Sequence, residues 1–478
     1  MLFGVAALLA TSVTLSGVAG VVGVPQTVVP DFLAVAVSST AVGAGAGSTV
    51  ADGPARQAAV DPASPRLAGA QGPRVSPTRS VDAGLLPNLG GRALLDQLTL
   101  LSSRDIAAFV EAHPASVARL LASPPSAKSV AGWWALNSDA ARETFLTGAP
   151  ELAGNLDGLP MRLRDEANRV VLRESIAAAK AEMSGLGRAH QVDAAQRLHM
   201  LGEVRTSLVT RAGQPPRHLL QLDTVWPGRA AVVIGDLESA DFVSYFVPGM
   251  FFSTDRLIVE WSVIAEDLYT EQTDWIRLLA RDDAKLRGAS VATVAWIGYQ
   301  TPGLLDIASL DLAREGAASI SSAVQGVQAT RAGEEPFLTL LTHSYGSTAT
   351  LMAIESGGVE VDSLVLIGSP GSAAQSVDDL GMPSDRVFVG EAAWDPVVNS
   401  AFFGSDPGAA SFGAQSMHVA GGIDPITGRT LAAATGHLGY FDIGTESMRN
   451  MSLVGLGQGH LVTGSESAKR GTMVAGGR

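Results

Sequence analysis

The chain has no cysteine among its 478 residues. Disulfide bonds, thiolate metal sites, iron–sulfur clusters and a cysteine nucleophile are therefore excluded. Positive charge is also scarce, because 33 Lys and Arg face 47 Asp and Glu and give a net charge of −14. Phosphate binding needs a basic surface, so this balance argues against nucleic acid as a main partner.

Charged residues make up only 17% of the chain, whereas hydrophobic residues make up 46%. A chain of this composition buries a sizeable core, so wholesale disorder is excluded. The sequence also lacks an HExxH motif, a Walker lysine motif and a two-histidine metal cluster. Asp236, Glu238 and Asp241 are close in sequence, but we interpret them as a polar loop. We therefore expect no metal and no organic cofactor.

Residues 1–24 carry no charged side chain and are rich in Leu, Val, Ala and Gly. A run of this length is typical of a secretory leader or of a single membrane anchor, although the usual basic start of a leader is missing. We expect a secreted or membrane-anchored protein outside the cytoplasm. Residues 25–93 are rich in Ala, Gly, Ser and Pro without a sustained period, which predicts a disordered linker, and residues 461–478 are predicted to form a flexible tail.

Residues 94–205 are predicted to form a helical unit. Apolar residues recur with helical spacing from Leu94 onward, and Arg162 to Met183 is predicted to be one long charged helix. Ser102 or Ser103 is a candidate N-cap, and Pro114 and Pro150 are expected to close helical stretches. Trp133 and Trp134 are interpreted as packing residues. The turn Asn155 to Gly158 is interpreted as holding the unit against the catalytic face.

Residues 206–460 are predicted to form one α/β domain. Apolar, β-rich runs alternate there with amphipathic helical segments, notably Leu257–Arg287 and Ile307–Ala332. Strands separated by helices indicate βαβ units and a mostly parallel sheet flanked by helices. The predicted strands are His218–Leu222, Ala230–Ile234, Phe242–Val247, Val291–Ile297, Phe337–Leu341, Leu364–Ile367, Arg386–Val389 and Met417–Val419.

The segment LLTHSYGST joins one predicted strand to a predicted helix and carries Ser344 at the junction. This strand–turn–helix context is typical of a nucleophile elbow, in which a strained turn exposes a serine hydroxyl above the sheet. The tight turn requires small residues two positions before and after the serine. Gly346 meets this requirement, and Thr342 is tighter. The sequence therefore predicts Ser344 as a nucleophile, with a plain helix-capping serine as the alternative.

A serine nucleophile needs a base, and the base needs an acid that orients it, in the chain order Ser, Asp or Glu, His. Asp395 follows a predicted strand in the phrase EAAWDPV, and His437 lies in the Gly-flanked loop GHLGYFD. We predict these two as acid and base. Asp385 is a weaker candidate for the acid, because it precedes its strand. Among the other histidines, His418 is interpreted as a core residue in the last predicted strand and His460 is a rival base. His343, directly before the nucleophile, is expected to point into the fold.

An oxyanion hole needs two backbone N–H groups. One is predicted to come from Tyr345, directly after the nucleophile. The other is predicted to come from the turn after the strand Phe242–Val247, where Gly249 lets the backbone approach the substrate and Met250 is the favoured donor. A plain Pro-Gly turn is the alternative.

Five blocks of this sequence resemble an actinobacterial α/β-hydrolase family catalogued as a domain of unknown function. They are WWALNSDAARETFLTGAPELAGNLDGLPMRLRDEANR, FVSYFVPGM, VAWIGYQTPG, THSYGS, and GHLGYFD after WDPV. The resemblance runs from about Leu94 to Tyr440. It implies an α/β-hydrolase fold preceded by a helical unit, and the family pattern also points to the three residues chosen above. Two positions depart from that pattern, with Thr342 where the family usually has Gly and Leu438 where it usually has Ser.

The expected function is therefore serine hydrolysis of carboxylic esters, in the manner of esterases and lipases, through Ser344, Asp395, His437 and an acyl-enzyme. The expected substrate is a small-molecule or lipid-like acyl ester. Two alternatives stay open. The same triad also serves amide or peptide hydrolysis, because the nucleophile and oxyanion hole are shared. The second alternative is a catalytically weak hydrolase fold that acts as a cell-envelope binding module.

Overall fold

The computed structural model describes residues 84–184, 187–303 and 306–465. The predicted leader, most of the predicted linker and the end of the predicted tail lie outside these residues, and the predicted division into domains stays a prediction. A 3-10 turn at Leu86–Asn88 and a helix that begins at Gly91 occupy the last part of the segment predicted as linker. Leu86 is buried there, so packing against neighbouring helices orders a stretch whose composition is that of a linker.

The helical region packs around its own apolar core, in which the rings of Trp133 and Phe145 meet edge to face at 5.0 Å. Ser102 caps its helix by accepting the N–H of Asp105. In the described residues this region comprises α1 Gly91–Leu98, α2 Ser103–Ala112, α3 Pro114–Ala122, α4 Ala127–Leu136, α5 Asp139–Gly148, α6 Pro150–Asn155, α7 Met161–Glu182 and α8 Arg188–Ser207.

Pro114 and Pro150 each begin a new helix directly after the preceding one ends. The preceding helices stop at Ala112 and Gly148, and each proline is the first residue of the next helix. A proline at this position needs no N–H, because the first N–H groups of a helix have no acceptor within it. The helical stretches predicted from periodicity are therefore divided into shorter helices that turn at the prolines.

An eight-stranded sheet lies at the centre of the α/β region in the order β1-β2-β4-β3-β5-β6-β7-β8. Only β2 runs against the others, being antiparallel to both β1 and β4. The remaining pairings are parallel, which confirms the predicted mostly parallel α/β fold. The strands are β1 Arg217–Asp223, β2 Arg229–Gly235, β3 Phe242–Val247, β4 Val291–Ile297, β5 Phe337–His343, β6 Ser363–Ile367, β7 Val387–Gly390 and β8 Gln415–Met417.

Helices cover both faces of this sheet. Along β4, Val291, Ala295 and Ile297 enter one core, and the alternate residues Val294 and Trp296 enter the other. This alternation explains why the buried strands are apolar along their whole length. The first core is completed by α9 Thr254–Leu279 and α12 Glu446–Gly455, and the second by α10 Asp311–Thr330 and α11 Tyr345–Glu355.

Side chains of the helical region bond directly to the backbone of β1. The amide of Asn155 donates to the carbonyl of Leu222 and accepts its N–H, both at 3.0 Å. Asn168 donates to the carbonyl of Leu219 at 3.0 Å, and Asp165 accepts the N–H of Leu219 at 2.6 Å. Helices α6 and α7 are thus joined to β1 by hydrogen bonds as well as by apolar packing.

Asp157, in the turn predicted to hold the helical unit, lies between two elements. Its carboxylate accepts from Arg164 of α7 and from Ser322 of α10, each at 2.6 Å. The turn therefore holds the helical region against the strand β1 and the helix α10.

Three local predictions need correction. The helix α9 ends at Leu279 rather than at Arg287, because the chain breaks into a separate 3-10 turn in which Asp283 accepts the N–H of Lys285. The last strand of the eight-stranded sheet ends at Met417, not at Val419. His418 is exposed rather than a core residue.

Within the described ranges, none of the helices combines the length and the apolar character needed to cross a bilayer. The predicted leader or anchor at residues 1–24 is not among those ranges.

Candidate active site

Ser344 stands on a strained turn between β5 and α11. Its backbone has φ 54° and ψ −132°, a conformation that residues other than glycine seldom adopt. The N–H of Ser344 donates to the carbonyl of Ile367 at the end of β6, at 3.0 Å, which fixes the turn to the neighbouring strand. Strain of this kind persists only where the surrounding structure imposes it, and it is concentrated at functional sites.

Thr342 occupies the tight position before this turn without leaving its hydroxyl unsatisfied. Its Oγ1 donates to the carbonyl of Val365 on β6 at 2.8 Å, and the side chain is buried. The residue that departs from the family pattern therefore contributes a hydrogen bond between β5 and β6.

The turn after β3 lies against the nucleophile. A Cβ placed on Gly249 would lie 2.5 Å from the Cβ of Ser344 and 3.0 Å from its Oγ, so only glycine fits there. Met250 follows directly and is buried. Tyr345 is the first residue of α11, where a backbone N–H has no acceptor within the helix. Of the three residues predicted for an oxyanion hole, Gly249 thus lies against Ser344, Tyr345 follows it directly in the chain, and Met250 is the next residue of the same turn as Gly249.

Asp395 and His437 form a buried pair. The Nδ1 of His437 lies 2.9 Å from Oδ1 and 3.0 Å from Oδ2 of Asp395, and the two side chains are 2% and 0% exposed. Burial acts to raise the pKa of Asp395, but the hydrogen bond and charge of His437, together with the N–H of Val397 and the hydroxyl of Tyr440, more than offset it and lower that pKa. The carboxylate is therefore ionised and fixes the proton of His437 on Nδ1.

The other nitrogen of His437, Nε2, is buried and has no hydrogen-bond partner among the described residues. Ser344 and His437 both lie against the end of β6. Ser344 bonds to Ile367, and a Cβ on the next residue, Gly368, would lie 3.1 Å from Cε1 of His437 and 2.8 Å from Oδ2 of Asp395. Gly368 also has a φ of +55°, so both the lack of space and the backbone conformation exclude a side chain there. The structure therefore brings Ser344, Asp395 and His437 together at one end of the sheet.

His343 is hydrogen-bonded to the backbone of the predicted base. Its Nε2 lies 2.7 Å from the carbonyl oxygen of His437, so this nitrogen carries the proton and donates. The two imidazole rings are 4.5 Å apart. Burial and the neighbouring His437 lower the pKa of His343 to about 3, which keeps its ring neutral. His343 points into the fold, as expected, and joins the nucleophile's strand to the loop that carries the base.

Two contributors were not predicted from the sequence, namely Gly368 and Tyr440. The hydroxyl of Tyr440 donates to Oδ2 of Asp395 at 2.7 Å and accepts the N–H of Ala392 at 2.7 Å. Tyr440 belongs to the block GHLGYFD, three residues after His437, and Gly368 directly follows a predicted strand. These positions are the only indications of either role in the sequence.

The alternative acid and base lie elsewhere. Asp385 and His460 line the same small surface cleft with Ser363, the first residue of β6, and Gln415, the first residue of β8. That cleft is at the amino ends of the strands, whereas Ser344 lies at the carboxyl end of β5. The geometry therefore separates both alternatives from the nucleophile.

A small apolar cluster adjoins the site. Met250 and Val397 are buried in contact with each other, and Phe251 and Ile307 pack against them. Met250 comes from the turn beside Ser344, and Val397 donates its N–H to Oδ1 of Asp395 at 2.9 Å. The surroundings of the serine are therefore apolar on this side.

Asp236, Glu238 and Asp241 are used as structural acceptors. Glu238 accepts the N–H of Arg162, and Asp241 accepts from Ser290. In the part of the chain that the structure describes, no group of three or more His, Asp and Glu side chains has the arrangement of a metal site.

Known proteins resemble this chain over different spans. An uncharacterized protein of Mycobacterium tuberculosis is 27% identical over 389 residues, which cover 70% of this chain and 57% of that protein. The chain thus spans less than two thirds of the length of that relative. An uncharacterized protein of Mycobacterium bovis is 30% identical over 215 residues, which cover 43% of this chain and 79% of that protein.

Among solved structures, a hormone-sensitive lipase from a metagenome library aligns with 60% of this chain and 98% of its own, at 10% identity and a TM-score of 0.32. The model of the family described as "Alpha/beta hydrolase" matches residues 223–405, from the end of β1 to the loop after Asp395. The sheet, its flanking helices and the match of the family model agree with the family predicted from the sequence. This chain belongs to the alpha/beta hydrolase family.

Proposed function

We propose that the protein is a serine hydrolase that cleaves carboxylic esters through Ser344, His437 and Asp395. One observation carries the proposal. The Nδ1 of His437 is bonded to a buried carboxylate, while its Nε2 is buried and has no partner among the described residues, and His437 and Ser344 both lie against the end of β6. A base held in this tautomer has its free lone pair on Nε2, the nitrogen that accepts a proton in such triads.

In the first half of the reaction, Nε2 of His437 takes the proton from Oγ of Ser344 as Oγ attacks the acyl carbon. The resulting imidazolium is stabilised by Asp395, which the charge and hydrogen bonds around it keep ionised. The carbonyl π electrons move to oxygen, and the N–H groups of Tyr345 and Met250 bind that oxyanion. Collapse expels the alkoxide, which takes the proton from His437 and leaves an acyl-enzyme.

In the second half, His437 takes a proton from water as the water oxygen attacks the acyl carbon. Ser344 then leaves and recovers its proton from the imidazolium, so the enzyme returns to its starting state. The strained turn supports this role, because it places Ser344 at the amino end of α11, where the helix dipole favours negative charge. Each step uses side chains of this chain and water.

The apolar cluster of Met250, Val397, Phe251 and Ile307 supports an uncharged, apolar acyl or alkyl group as the part of the substrate nearest the serine. The net charge of −14 also disfavours strongly anionic substrates. A small-molecule or lipid-like ester fits both features. Amide hydrolysis is the alternative chemistry of the same triad, because the nucleophile and the oxyanion hole are shared.

The test is turnover of p-nitrophenyl esters of graded acyl length, measured beside a dipeptide amide. The variant Ser344→Ala is expected to lower kcat/KM about 10³-fold or more, because no other group can form the acyl-enzyme. Ser356→Ala is the matched control, since Ser356 lies at the other end of α11, is exposed and bonds only within its own turn. Its turnover should equal that of the wild type.

Labelling by a fluorophosphonate separates the alternatives. An activated serine is modified, and the label should be lost in Ser344→Ala and kept in Ser356→Ala. Folded wild-type protein that neither reacts with the probe nor turns over any ester would contradict the proposal and favour a binding module. Turnover of the amide in preference to every ester would move the proposal to an amidase.

We also propose that the enzyme acts outside the cytoplasm, free or anchored. The uncharged run at residues 1–24 supports this placement. Fractionation of cells that express the full chain tests it, since the protein should appear in the medium or the membrane fraction, and recovery in the cytosol alone would contradict it.

A further inference from the structure

The carboxylate of Asp395 is held by three donors. Oδ1 accepts the N–H of Val397 at 2.9 Å, Oδ2 accepts the hydroxyl of Tyr440 at 2.7 Å, and Nδ1 of His437 lies within 3.0 Å of both oxygens. Val397 is two residues away on the same loop, so its bond follows from the local turn. Tyr440 reaches across 45 positions of the chain.

The hydroxyl of Tyr440 is itself fixed in place. It accepts the N–H of Ala392, at 2.7 Å, and thereby spans the loop that carries the acid. The ring is fully buried in the core and belongs to the 3-10 turn Gly439–Phe441, directly after the loop of His437. Burial and the nearby carboxylate raise the pKa of Tyr440, so its hydroxyl keeps its proton and donates.

These contacts define what is lost without the hydroxyl. Oδ2 of Asp395 would keep only the shared contact with His437, and the carboxyl group would be restrained about its Cβ–Cγ bond by Val397 and His437 alone. The N–H of Ala392 would be left buried without its acceptor. A carboxylate that is less restrained holds the imidazole less well, and one that has lost a donor is protonated more readily.

We propose that Tyr440 is the positioning residue of this active site, holding Asp395 ionised and in the plane that orients His437. The inference rests on the proposed triad. Tyr440 acts through Asp395 and does not reach the substrate. Its effect therefore falls on the chemical step and on the pH range of activity, and substrate binding is unaffected.

The test is Tyr440→Phe, which removes one oxygen and keeps the ring in the core. We expect kcat to fall about 10- to 100-fold, as for the loss of one hydrogen bond to a charged group, with KM within about twofold. The acid limb of the kcat/KM profile reports protonation of the base, and it should move up by roughly half a pH unit, because a carboxylate that has lost a neutral donor stabilises the protonated base more strongly. Rates are divided by the number of sites titrated with fluorophosphonate, so an unfolded fraction does not imitate the loss.

Tyr245→Phe is the matched control. Tyr245 is as buried as Tyr440, but its hydroxyl has no hydrogen-bond partner among the described residues, so neither kcat nor the acid limb should change. Should Tyr440→Phe fail to fold, incorporation of 3-fluorotyrosine gives the same test, because a more acidic hydroxyl donates more strongly and should move the limb to lower pH.

An unchanged kcat and acid limb in folded Tyr440→Phe, or an unmoved limb with 3-fluorotyrosine, would overturn the positioning role and leave the triad in place. Full activity of Ser344→Ala would instead overturn the triad itself. A fall in melting temperature of Tyr440→Phe with normal kinetics per titrated site would show a purely structural hydroxyl, which also contradicts the proposal.

Discussion

The described residues contain two Asp–His pairs that join the same atoms and differ in their burial and in the side chains around them. In the active site, Nδ1 of His437 lies 2.9 Å from Asp395. Where the helical region meets β1, Nδ1 of His218 lies 3.2 Å from Asp165. The first pair is closed off from solvent, whereas the side chains of His218 and Asp165 are 23% and 12% exposed.

The carboxylates also have different partners. Asp165 forms a salt bridge with Arg169 at 2.7 Å and accepts the N–H of Leu219, so its charge is already balanced by a permanent cation. Among the described residues, Asp395 accepts from the neutral donors Val397 and Tyr440 and from His437, and it forms no salt bridge with Lys or Arg. Its charge is therefore available to stabilise an imidazolium that forms during a reaction. We infer that the Asp395–His437 pair suits the proposed reaction because no fixed cation competes for its carboxylate.

The largest effect should come from Asp395→Asn, with Asp165→Asn as its counterpart. An amide at position 395 no longer holds the proton on Nδ1 of His437, and ester turnover should fall about 10³- to 10⁴-fold. Asp165→Asn should leave turnover within about twofold and lower the free energy of unfolding by about 2–3 kcal/mol, because charged hydrogen bonds to Arg169 and Leu219 are weakened. The measurements are kcat/KM and denaturant unfolding.

An Asp165→Asn protein that is folded yet inactive would contradict the claim that only the Asp395–His437 pair is needed for turnover. So would an Asp395→Asn protein that retains wild-type turnover.

A smaller effect should appear in the pH dependence of stability. Burial acts to raise the pKa of Asp165, but the hydrogen bonds from His218 and Leu219 and the charge of Arg169 more than offset it, so the pKa is lowered. A lowered folded-state pKa adds stability above the unfolded-state value of about 3.9 and loses it as the pH falls through the folded-state value. The difference in unfolding free energy between wild type and Asp165→Asn should therefore be largest near pH 7 and shrink below about pH 4. A difference that stays constant down to pH 3 would contradict this assignment.

The smallest effect is expected for Arg169→Gln, which removes the permanent cation. The side chain of Arg169 is 36% exposed, so solvent screens the pair, and the loss of stability should be under about 1 kcal/mol. Arg162→Gln is the matched control on the same helix, because its pair with Glu166 is mostly exposed and should contribute nothing measurable. Neither variant should alter ester turnover, and a loss of turnover in Arg169→Gln would show that the two pairs are coupled.

Much of the sheet could be predicted because buried strands leave continuous apolar runs. The bounds of β3 and β4 agree with the runs Phe242–Val247 and Val291–Ile297. The reversed direction of β2 could not be predicted, since an apolar run carries no information on strand direction. The early end of α9 was missed for a related reason, because apolar spacing continues past Leu279 although the helix does not.

The predicted site residues are those whose role depends on local sequence. Ser344 follows a strand and precedes a helix, and Gly249 follows another strand, so their neighbours indicate them. Tyr440 and Gly368 act through contacts with residues distant in the sequence, and nothing in their own segments separates them from ordinary core positions. His418 shows the converse error, since a histidine inside a predicted strand was expected in the core, whereas it follows the strand and lies at the surface.

The bonds between the helical region and β1 have one more consequence. An outer strand normally offers a row of unpaired N–H and C=O groups, and such a row invites another chain to extend the sheet. Here Asn155, Asp165 and Asn168 occupy the outward groups of Leu219 and Leu222. The helices therefore protect the edge strand β1 from pairing with another chain. A hydrolase domain without them would expose an aggregation-prone sheet edge even with its active site intact.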